Sequence, residues 1–219
     1  MNKKSLIRNI FSSIVFLAPI KTFYKIYKEK SSDGYQSIPY VVTLLSASLQ
    51  LYYGVLKANA TMTIIISAGG VVIELAYLVL FSIYASTEEK IYTAKLMLFD
   101  IGGFGGTMAL TLLLLKGQHR VNVVGWIYAT FSLVAFAVPL SIMWRVIKTR
   151  SVEFMPFTTS LLVTLSAITW FFYGLVVKDL KIAVPNAVGL LVGLAQIILY
   201  MIYKYGNKKM EETNERNNP

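Results

Sequence analysis

From Ser5 to Tyr203 this chain is a succession of apolar stretches, each about as long as a lipid bilayer is thick, divided by a few polar residues. A helix rises about 1.5 Å per residue, so about 20 apolar residues cross the hydrocarbon core, where backbone amides must be satisfied within a helix or a closed barrel. The stretches predict seven membrane helices: Ser5–Tyr27, Ile38–Leu56, Thr61–Tyr84, Tyr92–Leu115, Val121–Arg145, Pro156–Val177 and Ile182–Tyr203. In 219 residues that leaves no room for a separate soluble catalytic domain, so function must reside within the bundle.

Charge supports the same class. Hydrophobic residues make up 56% and charged residues 15%, the latter gathered in connectors instead of spread over amphipathic faces. Leu6 to Ile20 runs without a small-residue cleavage site into the aromatic, basic stretch Phe23 to Lys28, which reads as a retained first helix. The net charge of +10 is a topology and headgroup signal beside membrane helices, and no nucleic-acid recognition module accompanies it. Thirteen Lys and Arg residues fall on the side of the 1–2, 3–4 and 5–6 connectors and the tail, against eight on the other side. The positive-inside rule therefore expects the amino terminus outside and the carboxyl terminus in the cytosol. Residues 206–219 read as a disordered cytosolic tail. There is no cysteine, and the single histidine, His119, has no clustered partners, so no metal or cofactor is expected.

The chain also repeats itself. Laid beneath one another at offsets near 120, Pro19 meets Pro139, Ser46 meets Ser166, Tyr53-Gly54 meets Tyr173-Gly174, Leu75-Ala76 meets Leu194-Ala195 and Ile83-Tyr84 meets Ile202-Tyr203. Three helices is an odd number, so a single extra helix is needed to bring two copies parallel. The expected fold is thus an all-α membrane protein with two parallel three-helix repeats, residues 1–86 and 119–205, joined by a linker helix within 87–118. Parallel repeats of this kind are a transporter architecture. Each repeat carries two prolines, Pro19 and Pro39 in the first and Pro139 and Pro156 in the second. Proline removes a backbone donor and loosens a helix, so the symmetric quartet reads as paired hinges around a cytosolic opening.

Three segments carry a specific resemblance: FLAPIKTFYKIYKEKSSDGYQSIPY in the first repeat, PLSIMWRVIKTRSVEFMPF and WFFYGLVVKDLKIAVPN in the second. Over Ile10 to Tyr205 the chain resembles the SWEET family of sugar transporters, and its plant branch that favours sucrose most closely. The resemblance implies energy-independent, bidirectional sugar transport by alternating access, in the plasma membrane, by a bundle for which self-association is left open. It implies a central sugar site lined by a Trp and an Asn from each repeat. Trp170 and Asn186 fill the second-repeat positions, whereas Gln50 and Ser67 stand at those of the first; Ser46, Ser166 and Ala135 complete the expected pocket. An aromatic plate for the C–H face of a pyranose and amides that both donate and accept toward hydroxyls suit a sugar independently of the resemblance. Tyr53, Asp179 and Lys57 are implied at an outer gate, and Met155 at an inner constriction.

Glu74 and Asp100 are ionisable groups within expected spans; the favoured role for Glu74 is buried hydrogen bonding, against a sharper reading as a proton-coupling group. Gly102, Gly103, Gly105 and Gly106 are expected to permit close helix packing. An enzyme is not expected, since no nucleophile, base and oxyanion constellation can be assembled. The last span has no lysine for a retinal Schiff base, which disfavours a retinal protein. Two alternatives stay open on Gln50 and Ser67: a PQ-loop-type carrier of another small solute, and a diverged or engineered scaffold of the family with weak or no transport.

Overall fold

In the computed structural model, residues 20–33, 35–152, 155 and 157–217 are described, with residues 21, 22 and 206–217 by their backbone alone. They form eight helices: α1 Ile20–Glu29, α2 Ile38–Leu56, α3 Thr61–Tyr84, α4 Thr87–Leu114, α5 Gly117–Val134, α6 Ala137–Thr149, α7 Phe157–Val176 and α8 Leu180–Asn217. Among these residues six segments are long and apolar enough to span a membrane, with α5 and α6 counted as one stretch of 33 residues. α2 and α3 begin and end where the hydropathy places them. Most of the first expected span, Pro19 included, and Pro156 lie outside the described residues.

Hydroxyl side chains inside the spans fold back onto their own helices. Thr43 donates to the Pro39 carbonyl at 2.8 Å, Ser82 to Leu78 at 2.7 Å and Thr164 to Ser160 at 2.7 Å. Such bonds satisfy a hydroxyl where water is absent. Pro39 occupies the first turn of α2, where a missing N–H breaks no helical bond. Ser86 caps α4, accepting from the Glu89 amide at 3.3 Å, with Glu88 and Glu89 in the first turn.

The chain divides into two compact units, the first ending at Ala135 and the second starting at Phe136. In the first, Phe23 of α1 stacks on Tyr77 of α3 at 4.1 Å, and Tyr40 of α2 meets Phe23 edge-on. α4 is tied to α2 near both of its ends. Thr93 donates to the Ser37 hydroxyl at 2.8 Å, and Tyr52 bonds the Thr111 hydroxyl at 3.0 Å. The Arg120 guanidinium closes the end of α4, donating to the carbonyls of Thr111, Leu112 and Leu115. α5 also packs on α2, with Tyr128 stacked over Tyr53 at 6.1 Å. In the second unit α7 and α8 form the dominant pair, and α6 packs on α8.

The boundary between the two units falls inside the fifth expected span, and its cause is local. Pro139 has no N–H to give the Ala135 carbonyl, and its ring crowds that carbonyl. The helix is interrupted at Ala135 and Phe136 and restarts at Ala137. Two expectations differ from what the structure shows. α8 runs on to Asn217, through the tail read as disordered; its Lys, Met and Glu residues are good helix formers. A Cβ added at Gly102, Gly103, Gly105 or Gly106 would meet nothing within 4 Å, so no helix among the described residues uses these glycines for close packing.

The repeat is written into the backbone. Four non-glycine residues adopt the left-handed conformation: Lys30 (φ 54°), Asn59 (58°), Arg150 (52°) and Lys178 (53°). Lys30 corresponds to Arg150 and Asn59 to Lys178 in the repeat alignment, so the same two turns use the same conformation twice. That conformation is unfavourable for a residue with a Cβ, by about 1–2 kcal/mol, and its recurrence at matched positions marks turns that the fold requires. Lys30 is further held by Tyr84, whose hydroxyl accepts from its ammonium at 3.0 Å and pushes its pKa above the ordinary value.

Candidate solute-binding site

In the first unit the expected pocket residues come from α2 and α3. Ser46 and Gln50 are four residues apart and share one face of α2. The Ser46 hydroxyl is buried and has no hydrogen-bond partner among the described residues, and Gln50 is half-buried one turn further on. Ser67, on α3, is fully buried and donates to the Thr63 carbonyl at 2.6 Å.

In the second unit the equivalent face of α7 carries Ser166 and Trp170, both half-buried. The indole meets Tyr173 edge-to-face at 5.5 Å and 89°, which fixes the plane of the ring. Asn186 of α8 donates its amide nitrogen to the Ile182 carbonyl at 2.7 Å, orienting its amide oxygen as an acceptor. Ser67 and Asn186 are repeat equivalents, and each bonds the carbonyl four residues earlier. The serine therefore retains the local backbone bond of the asparagine while giving up the longer amide. Ala135 sits in the interruption before Pro139.

Residues expected at the mouths have structural duties as well. Tyr53 is buried on Tyr128, with the Lys57 ammonium 5.7 Å from its ring centre. Asp179 stands immediately before α8, is buried, and accepts from the Lys181 amide at 3.0 Å, as a helix cap does. Met155 is buried, its amide bonded to the Val152 carbonyl at 3.0 Å.

Glu74 is buried as expected, but one carboxyl oxygen, Oε2, finds no hydrogen-bond partner among the described residues. Asp100 is buried on α4. Cavities of about 490 Å³, lined by Gln36, Glu88 and Lys95 among others, and about 590 Å³, lined by His119, Asn122 and Trp126 among others, contain none of the expected pocket residues. The sequence reading passed over Pro185, which lies inside α8 next to Asn186. Its first-repeat counterpart is Ile66, so a search for prolines present in both repeats could not find it.

The arrangement supplies, in each unit, a hydroxyl and a longer side chain on one helix with a hydrogen-bonding residue on the next. Such a set has the chemistry that suits an uncharged, hydroxyl-rich solute. A family model described as a sugar efflux transporter for intercellular exchange matches residues 4–89 and 122–208, one match per repeat. Bidirectional sugar transporter NEC1 of Petunia hybrida is 53% identical over 210 residues, 96% of this chain and 79% of the relative. Bidirectional sugar transporter SWEET9 of Arabidopsis thaliana is 54% identical over 204 residues, 93% and 79% of the two chains. The 3.7 Å structure of a eukaryotic SWEET transporter aligns with a TM-score of 0.84 at 33% identity, covering 92% of this chain and 95% of that one.

Proposed function

The chain belongs to the SWEET family of sugar transporters, and from that premise we propose that it moves sugar across a membrane in both directions, down its gradient and without an energy source. The observation that carries the reading is the prepared state of Trp170 and Asn186: a half-buried indole held by Tyr173 and an amide oriented by its own helix. Sugar stacks on the first and hydrogen-bonds to the second. The first unit offers a sugar its own set, Ser46, whose buried hydroxyl has no partner among the described residues, Gln50 on the same helix face, Ser67 and Ala135, and the second unit adds Ser166 to Trp170 and Asn186.

The carrier resides in the plasma membrane with its amino terminus outside, in keeping with the bias of Lys and Arg along the chain. Tyr53, Lys57 and Asp179 serve the outer mouth and Met155 the inner one. The prolines are points at which helices bend during transport, and the break before Pro139 supports this role. Replacing Pro139 with Ala restores the lost helical bond; transport falls while folded yield is kept.

The decisive experiment uses purified protein in liposomes with labelled sucrose and glucose and no ion gradient. Influx and efflux should match at equal concentration differences and ignore a protonophore. Proton-driven accumulation against a sugar gradient overturns the facilitator reading, and absence of any sugar movement favours a carrier of another solute or an inactive scaffold.

A further inference from the structure

Two helical turns separate Ser67 from Glu74 on α3, which places both side chains on one face about 10.5 Å apart. We propose that Glu74 is a second sugar contact of the first repeat, one that a sugar leaving Ser67 meets next; the proposal rests on the sugar-transport reading above. The direction from Ser67 to Glu74 runs toward Tyr84, the end that the Lys and Arg bias assigns to the cytosol.

Three observations carry it. First, Glu74 is 4% exposed and its Oε2 is buried without a partner among the described residues. Burial of an unsatisfied carboxyl oxygen is unfavourable, and such a group persists where another state of the protein gives it a use. Second, the fold does not need a carboxyl here. The repeat equivalent is Gly193, where α8 approaches α7 so closely that an added Cβ would run into Thr164. One repeat has a closed helix contact at this level, and the other has a polar side chain.

Third, its surroundings have sugar-binding chemistry. Glu74 lies in α3 between Ile73 and Tyr77, which belong to the cluster of Phe23 and Phe81, and near Leu78, which belongs to the cluster of Val41 and Leu44. Tyr40 packs against both clusters, and the phenols of Tyr40 and Tyr77 are within electrostatic range of the carboxyl. Aromatic faces with phenol donors and a carboxyl acceptor are a set that holds a pyranose when these clusters part.

The test compares wild type with Glu74→Leu, Glu74→Met and Glu74→Gln in liposomes, measuring sucrose efflux rates, equilibrium sucrose binding by calorimetry and thermal melting. Gln keeps hydrogen bonding; Leu and Met remove it while filling the space. The expected result is melting no lower than wild type and an unchanged sucrose Kd in all variants, a maximal rate lowered about tenfold in the apolar variants, and a rate within about twofold of wild type for Gln. Wild-type rates in Leu and Met overturn the proposal, and so does a Gln variant as slow as Leu, which assigns the effect to the charge or its proton. Wild type that binds no sucrose overturns the parent reading, an outcome distinct from both.

Discussion

The two repeats differ far more in the side chains they carry at matched positions than in how they hold their backbones. The left-handed turns recur at Lys30 and Arg150 and at Asn59 and Lys178. Ser67 and Asn186 bond the same carbonyl, Thr63 in one repeat and Ile182 in the other. Gly54 and Gly174, at matched positions, both sit where consecutive helices approach closely. Against this common frame, Gln50 faces a role that Trp170 fills, Glu74 stands where Gly193 closes a helix contact, and Ala60 precedes α3 where Asp179 precedes α8. The lesson is that backbone geometry is under a constraint applied twice, whereas the side chains proposed to meet the sugar are divided unequally between the copies.

The largest effect should come from testing the frame itself. A Cβ at Gly174 would lie 2.7 Å from the Ala183 nitrogen and 2.9 Å from its Cα, backbone atoms that cannot step aside. At Gly54 the nearest atom is the Ile64 Cγ1, at 3.2 Å, a side chain that can rotate. Gly174→Ala should therefore destabilise the folded protein by about 2 to 3 kcal/mol and Gly54→Ala by less than about 1 kcal/mol, read from melting in detergent. Equal costs would mean that the two helix pairs are tighter copies than these distances indicate.

Next come the unequal pocket residues. Trp170→Ala removes the aromatic plate and Asn186→Ala the oriented amide, and either should abolish measurable sugar binding. Gln50→Ala should weaken it only about threefold, the scale of part of one hydrogen bond. In the opposite direction, Gln50→Trp with Ser67→Asn makes the repeats alike, adding a stacking surface worth about 0.5 to 1.5 kcal/mol and a hydrogen bond of similar worth. A gain of about tenfold in sugar affinity by titration is expected. No binding in either the wild type or the restored protein would move the solute site away from these residues.

What was legible in the sequence follows the same division. The apolar spans, the repeat and the family could be read directly, because hydropathy over about 20 residues and paired landmarks survive in a linear string. The ends of α2 and α3 were legible for the same reason: Pro39 and the polar connectors bound runs of uninterrupted apolar residues. The break before Pro139 was only half legible, since proline announces a weak point but not that compact packing divides there. Left-handed turns at lysine, asparagine and arginine carry no glycine to announce them. Ser46 and Glu74 stand out in the sequence, one as an expected pocket residue and the other as an ionisable group within a span, but only three-dimensional packing reveals that an oxygen of each is buried with no hydrogen-bond partner among the described residues.

The smallest effect separates two meanings of Asp179. As a cap, its carboxyl accepts from the Lys181 amide at 3.0 Å, so Asp179→Ala should cost about 1 kcal/mol of stability, and Asp179→Asn, which caps as well, almost nothing. Ala60, at the matching place before α3, makes no side-chain cap bond, so Ala60→Asp should gain a comparable amount and bring the first repeat closer to the second. Transport supplies the contrast. If Asp179 serves only α8, sugar flux should follow stability, with Asn at the wild-type rate. If it also serves the outer mouth, both Ala and Asn should slow flux several-fold although Asn leaves melting unchanged, because closing the mouth uses the negative charge and capping the helix needs only an oxygen.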